Sequence, residues 1–276
     1  VAFARRLEAL GYSALWLPEA GGRDPFVLAA HLLDHTETLV VATGIANIYA
    51  RDAMAMKAAQ YTLAEQSGGR FLLGIGVSHR LLVEDVRGHQ YGPPVKAMKA
   101  FLDRYEAAVH GAVAPAARPP LVLAALGPKM LELARERADG AHPYMVTPEH
   151  TREARKRLGP DRLLCVEHKV LLETDRKKAL AIARAIPALA MGLSLPNYQN
   201  SLIRQGYEAQ DFENGLSDRV IDALVATGDA EAIERRLGEH AEAGADHVCI
   251  HPLHPEAKSE PWWPTLEALA PNNRRR

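Results

Sequence analysis

Apolar residues recur along this chain at two spacings, and the spacings take turns. In the opening VAFARRLEALG, Phe3, Leu7 and Leu10 share one helical face and Gly11 follows as a stop. ALWLPEA (14–20) is then an apolar run of strand length. Asp24-Pro25 supplies a cap and a first-turn proline for a helix to His35, and LVVATGIANI (39–48) is a second strand. Asp52 caps AMAMKAAQYTLAEQ, Gly68-Gly69 end it, and FLLGIGV (71–77) follows. Met98, Leu102, Tyr105 and Val109 mark a helical face that leads to LVLAAL (121–126). GPKMLELARERADG predicts a short helix, HPYMV (142–146) a strand, 149–158 a helix and LLCVEHKVLL (163–172) a strand. An alanine-rich helix over 176–192 precedes a longer irregular stretch, with a short helix near 218–226. A helix over 229–243 and the apolar run HVCIHPL close the pattern.

Seven strands alternating with helices, each strand almost continuously apolar, predict a parallel sheet covered by helices. The expected class is therefore α/β, a TIM (β/α)8 barrel. An eightfold barrel needs one more strand, which belongs ahead of the first helix, where this chain has no residues; either the sequence is short at its start, which is the expectation, or the sheet is open. Residues 1–276 are expected to form a single barrel domain with an insertion at about 193–217, a normal length for this architecture.

Composition narrows the function classes. Apolar residues make up 47%, charged residues 24%, and the formal net charge is -1, which gives no electrostatic basis for nucleic-acid binding. The closing Arg274, Arg275 and Arg276 read as a solvated end. Cys165 and Cys249 lie in apolar runs as small hydrophobes, without a disulfide framework or zinc spacing. No stretch of about 18 apolar residues and no cleavable leader is seen, so a cytoplasmic protein without a membrane partner is expected. His251 and His254 are close, but no carboxylate or cysteine spacing completes a metal site, and no metal is expected.

In such a barrel the active site lies where strands end and helices begin. The segments in question are Pro18-Glu19-Ala20, Thr43-Gly44-Ile45-Ala46-Asn47, Gly76-Val77-Ser78-His79, Ala125-Leu126-Gly127-Pro128-Lys129, His142-Pro143-Tyr144 and His251. Glycines 74 and 76 inside a strand mark a place where another backbone or a ligand comes very close. At Gly127-Pro128-Lys129 a helix starts just after a strand, where amides and the helix dipole can hold a phosphate; a tight turn with a solvated lysine is the plainer alternative. Glu19 suits an acid, a base or a salt-bridged rim residue, and His79 a proton relay or a structural histidine. Tyr198, Tyr207 and Phe212 of the insertion either line a substrate pocket or pack on the barrel rim. Trp262-Trp263 read as a packed terminal segment.

Quoted together, ALWLPEA, ATGIANIYARDAMAMKAAQYTLAEQSGGRFLLGIGVSH, LAALGPKMLELARERADGAHPYMV and GDAEAIERRLGEHAEAGADHV resemble the bacterial luciferase-like superfamily. The resemblance is closest to its oxidoreductases dependent on the deazaflavin coenzyme F420. It implies a flavin-like ring against the strand ends, a homodimer and a small-molecule substrate. It also implies a non-prolyl cis peptide at Gly44-Ile45 as a bulge backing the ring, with Ala46 beside it and Asn47 near the ring's polar edge. The coenzyme phosphate would fall to Gly76, Val77, Ser78 and His79 together with Ala125, Leu126, Gly127, Pro128 and Lys129, the strand glycines leaving room for ring and phosphate. Glu19 matches a position where related deazaflavin enzymes carry an acidic residue, but Ala20 stands where those often have histidine. The implied reaction is hydride transfer between F420 and a small organic substrate, with Glu19 or His79 moving the proton. Three alternatives stay open: an FMN-dependent monooxygenase, a non-catalytic flavin-binding relative, and a phosphosugar isomerase or lyase on the same barrel.

Overall fold

The computed structural model describes residues 1–213, 215–258 and 260–275; Arg276, the last of the closing arginines, lies outside the described residues. The chain divides into two compact units. The first comprises Val1–Ala125 with Glu132–His142, the second Leu126–Leu131 with Pro143 onward.

In the first unit the order is α1 (Ala2–Ala9), β1 (Ala14–Leu17), α2 (Pro25–Asp34), β2 (Val40–Thr43), β3 (Ala46–Asn47), α3 (Ala53–Gln66) and β4 (Phe71–Gly76). A π-helical turn (Leu81–Val86), α4 (Pro94–Ala107), β5 (Leu121–Leu123), α5 (Pro128–Arg137) and β6 (Gly140–Ala141) follow, the first turn of α5 being counted with the second unit. Strands β1, β2, β4, β5 and β6 pair in that order, all parallel, and β3 also lies on β4. The helix starts follow the cap chemistry of the sequence: the Asp24 carboxylate accepts from the amides of Phe26 and Val27, and that of Asp52 from Ala55.

The run LVVATGIANI is two strands, not one. Ala42 pairs with Leu72 and Ala46 with Ile75, so four steps on one side face three on the other and one extra residue is accommodated. At this bulge the fully buried Thr43 hydroxyl donates to the Gly74 carbonyl (2.7 Å) and accepts from the Gly74 amide (2.9 Å), replacing the lost ladder bonds. The peptide Gly44-Ile45 is cis. A Cβ on Gly74 would stand 2.2 Å from the Thr43 carbonyl oxygen, and one on Gly76 2.6 Å from Ile45 Cδ1. The room those glycines leave is therefore filled by the protein's own bulge, a correction to the expectation that it serves ring and phosphate.

The second unit contains α6 (Pro148–Leu158), β7 (Leu163–Leu172), α7 (Arg176–Ala185), α8 (Pro187–Leu193), α9 (Pro196–Ile203), a 3-10 turn (Ala209–Phe212), α10 (Asp218–Leu224), β8 (Val225–Gly228), α11 (Ala230–Glu242), β9 (His247–Pro252) and α12 (Trp263–Ala268). Strand β7 is central: β8 pairs with its second half and β9 with its middle, both parallel. Leu193, Tyr198 and Leu202 of the expected insertion pack with Leu180, Leu189, Leu224 and Leu253 in one apolar cluster, so the described part of 193–217 is partly helical and contributes to a core. Tyr198 is buried there, with Tyr207 and Phe212 packed against it at partial exposure.

Three boundaries differ from expectation. HPYMV is not a strand; pairing stops after Ala141, because Pro143 has no N–H to give a ladder and Met145 takes a positive φ of 57°. The alanine-rich helix breaks at Ile186, which precedes Pro187 and is extended. Val225–Gly228, expected to be partly helix, is a strand. Neither cysteine forms a disulfide, and among the described residues no helix is long and apolar enough to cross a membrane.

On the outer face of β7, His168 Nδ1 lies 3.0 Å from His240 Nε2, whose ring in turn meets the Thr151 hydroxyl at 2.8 Å. Burial pushes the His168 pKa down to about 3 and that of His240 to about 4, with neighbouring His240 and Arg236 respectively adding to the effect.

Two outcomes are expected. Gly74→Ala and Thr43→Val should each lower stability by about 1–3 kcal/mol in urea titrations, whereas Gly127→Ala, whose Cβ would meet nothing within 4 Å, should change little. The histidine pair titrates near pH 6.5 when unfolded but stays neutral when folded. Its contribution is therefore complete above about pH 6.5 and is lost as pH falls toward about 4, at up to about 1.4 kcal/mol per pH unit per histidine. Urea midpoints of the wild type and of H168Q/H240Q between pH 7 and 4 check this, the double variant having the flatter dependence.

Candidate functional site

The first unit gathers most of the expected residues where its strands end. Glu19 follows β1 by two residues, and its side chain is 7% exposed. Both carboxylate oxygens are engaged: Oε2 accepts from the Asn47 amide (2.7 Å) and Arg51 Nη1 (2.9 Å), Oε1 from Arg51 Nη2 (2.6 Å). The same Arg51 nitrogen reaches Asp24 Oδ2 at 2.9 Å, and the guanidinium lies 4.5 Å from the Phe26 ring centre. Asp24 is held below the usual carboxylate range: burial opposes this, but the Val27 and Phe26 amides and Arg51 outweigh it. A bidentate, planar pair of this kind fixes geometry as well as charge. Glu19 is thereby a clamp joining the β1 loop to β3 and the loop that follows it.

Beside this clamp, Gly44 and Ile45 are half-buried, whereas Ala46 and Asn47 are buried. Asn47 Oδ1 accepts from the Tyr49 amide at 2.9 Å, so its carbonyl oxygen serves the local turn. The indole of Trp16 stacks on the His142 imidazole, centroids 4.0 Å apart and planes 12° from parallel. This pair lies directly against Gly44, where a Cβ would stand 3.1 Å from His142 Nε2 and 3.3 Å from the indole. Trp16 and Arg51 were not among the expected residues. The strand parity of ALWLPEA sets Trp16 apart from Leu15 and Leu17, but nothing local marks its partner.

After β4 the chain turns sharply. Ser78 has φ 56°, a left-handed conformation uncommon outside glycine, and Val77, Ser78 and His79 are half-buried. Among the described residues the amides of Val77 and Ser78 donate no hydrogen bond to the protein. Successive unsatisfied amides in such a turn form an anion-binding concavity. Burial lowers the His79 pKa below the ordinary imidazole value. Ala125 ends this part of the first unit, buried.

Leu126, Gly127, Pro128 and Lys129 are counted with the second unit. The Gly127 carbonyl accepts from the Met130 and Leu131 amides, the Leu126 carbonyl meets His150 Nε2 at 2.9 Å, and Lys129 is exposed. Gly127 thus opens α5 as expected, with Pro128 in its first turn. His254 is buried edge-on against Trp262 and bonded through Nδ1 to the Glu256 amide, while His251 is turned to a different partner, Glu167. Among the described residues no group of three or more His, Cys, Asp or Glu is arranged to hold a metal ion.

Residues 1–247 match the family model described as luciferase-like monooxygenase. The chain belongs to this family. A family relative from Mycobacterium tuberculosis, named "putative coenzyme F420-dependent oxidoreductase", is 25% identical over 88% of this chain and 87% of its own length. Among solved structures, an F420-dependent secondary alcohol dehydrogenase in complex with an F420-acetone adduct superposes with a TM-score of 0.74 at 14% identity. It covers 97% of this chain and 91% of its own. The oxygenating constituent of 3,6-diketocamphane monooxygenase from Pseudomonas putida, in complex with FMN, gives 0.69 at 14% identity, over 98% and 90%. These likenesses show the fold class, the α/β barrel type of the luciferase-like family, as the strand and helix pattern predicted.

The clamp has a measurable cost when broken. Arg51→Met is expected to lower stability by about 3 kcal/mol, because the buried Glu19 charge loses its partner. Adding Glu19→Gln should restore part of that loss in a double-mutant cycle read by urea unfolding.

Proposed function

We propose that this chain is a coenzyme F420-dependent oxidoreductase that transfers a hydride between the deazaflavin and a small organic substrate, working as a homodimer. The observation that carries the reading is the first unit's juxtaposition of the half-buried Gly44-Ile45 bulge with the turn at Val77 and Ser78. The bulge immediately precedes β3 and the turn immediately follows its parallel partner β4, and the Ile45 side chain lies over Gly76 between them. A planar ring needs a smooth surface, which Ile45, packed over Gly76, offers. A phosphate needs fixed donors, which the two unsatisfied amides and the Ser78 hydroxyl offer. The residues present therefore fit a coenzyme with a flat ring system and a phosphate-bearing tail. When bound, the deazaflavin would supply the two-electron hydride carrier. His79, whose imidazole pKa burial lowers, can hydrogen-bond the tail. Glu19, with both oxygens engaged, orients Asn47 and the bulge; that is a positioning role for a residue expected to carry a proton.

The coenzyme named in the Mycobacterium relative and in the alcohol dehydrogenase structure favours F420. An FMN-dependent monooxygenase is the second reading, favoured by the FMN-bound neighbour and by the fact that FMN also joins a ring to a phosphate through a ribityl chain. Isothermal calorimetry of the protein with each coenzyme separates them. F420 is expected to bind more tightly than FMN, and Ser78→Ala to weaken it about tenfold, or about 1.4 kcal/mol. Tighter FMN binding would establish the second reading, and binding of neither would overturn both.

A further inference from the structure

The Ser78 turn of the first unit has a charged neighbour. Two residues on, Arg80 leads into the π-helical turn, and its side chain is 67% exposed. Two contacts fix it. Nη1 donates to both oxygens of Glu84, at 2.9 and 3.0 Å, and the guanidinium carbon lies 5.5 Å from the centre of the Tyr91 ring. Glu84 is held in turn, because its Oε1 accepts from the Tyr91 amide at 3.1 Å. Among the described residues Nε and Nη2 of Arg80 have no hydrogen-bond partner, so the outer edge of the guanidinium stays available.

Tyr91 ties this arginine to the anion turn. Its hydroxyl donates to the Ser78 carbonyl at 3.3 Å, while its ring lies under the Arg80 guanidinium and meets Tyr49 at 5.8 Å between centroids. The Tyr49 hydroxyl accepts from the Gly92 amide at 3.1 Å and anchors that end of the segment. Burial and Tyr49 raise the Tyr91 pKa against the opposing pull of Arg80, which keeps the phenol a donor. One tyrosine thus touches both the cation and a residue whose amide is unsatisfied, so the two belong to one local surface of the first unit. An exposed Arg–Glu pair four residues apart contributes little to stability. A guanidinium with a fixed plane and a free edge instead suits recognition of a carboxylate or phosphate, because less side-chain freedom is lost on binding.

We propose that Arg80 is a second anion subsite beside the Ser78 turn, one that receives a carboxylate carried just beyond a ligand's phosphate. The proposal deepens the coenzyme reading above and rests on it. The ligand it selects is a phosphodiester whose far arm bears carboxylates, as the oligoglutamate tail of F420 does. FMN ends at its phosphate and offers Arg80 nothing. Arg80 is thus a specificity-determining residue for the coenzyme, and Glu84 and Tyr91 position it. The pair with Glu84 is neutral overall, so long-range attraction is slight and the selection comes from directed, charge-assisted hydrogen bonds at close quarters.

The first test needs no coenzyme. Glycerol 3-phosphate and 3-phosphoglycerate are nearly the same size and differ by one carboxylate. With nitrogen-15-labelled protein both are expected to shift the Val77 and Ser78 amide signals, 3-phosphoglycerate binding about tenfold more tightly. R80M/E84Q removes both charges together, so that no unpaired carboxylate repels either ligand. It should make the two affinities equal and leave that of glycerol 3-phosphate unchanged. Equal affinities in the wild type, or a preference that survives in R80M/E84Q, would overturn the proposal. A loss for both ligands alike would show that Arg80 only shapes the turn and would overturn it too, and no shift with either ligand would remove the anion turn along with the subsite. The second test is calorimetry with the coenzymes. R80M/E84Q is expected to weaken F420 about tenfold and to leave FMN unchanged, while R80K, which keeps the charge but not the fork, retains part of the F420 affinity. An equal loss for FMN, or none for F420, would overturn the assignment of the tail to Arg80. Binding of neither coenzyme would instead overturn the hydride reading, leaving the matched phosphates to decide whether the carboxylate subsite exists.

Discussion

One threonine hydroxyl closes the seam where the sheet of the first unit is interrupted. Between Ala42 and Ala46 the chain has one residue more than β4 can match, and the Thr43 hydroxyl is the acceptor that the buried Gly74 amide meets there. An unsatisfied buried group costs about 1–3 kcal/mol, comparable with a large part of a domain's net stability. Thr43 accepts from that amide and donates to the same residue's carbonyl, and Gly74 has no side chain to hold the strands apart. Everything beyond the bulge depends on that junction: the position of Ile45 over Gly76, the pairing of β3, and the Asn47 amide that Glu19 receives.

The two units handle buried polarity differently. In the first, Arg51 joins Glu19 and Asp24 through a guanidinium that also lies on Phe26, so charge, planarity and apolar contact act together at a partly exposed rim. In the second, burial is close to complete. There the solution is either to keep imidazoles uncharged, as with His168 and His240, or to place opposite charges in direct contact, as with Glu167 and Lys169.

Much of this was legible in the sequence. Helix starts at Asp24-Pro25 and Asp52 could be read because a cap is a local device, complete within four residues. The alternation of strands and helices gave the fold class for the same reason. Strand limits were harder: Pro143 and the positive φ of Met145 end a pairing that the apolar letters of HPYMV suggest should continue. Val225–Gly228 follows α10 with no turn residue between them. The strand-end rule pointed to Glu19 and the Ser78 turn, and the glycines of GIG rightly signalled a close neighbour. That neighbour is the protein itself, which a sequence cannot specify. Arg51, 32 residues from the carboxylate it binds, was invisible because ion pairing is decided by the fold and leaves no spacing behind.

The polar triplet of β7, Glu167, His168 and Lys169, also acts as a key to strand alignment. In an ordinary buried strand of valines and leucines, sliding by one position exchanges one apolar face for the other at modest penalty. Here the slide would carry Glu167 and Lys169 together to the face of His240 and leave His168 beside Tyr144, so the buried ion pair would part from His251 and the Met145 amide, and the His168 imidazole from His240. Three consecutive polar residues in the middle of a core thus exclude the nearest competing arrangement of the same strand.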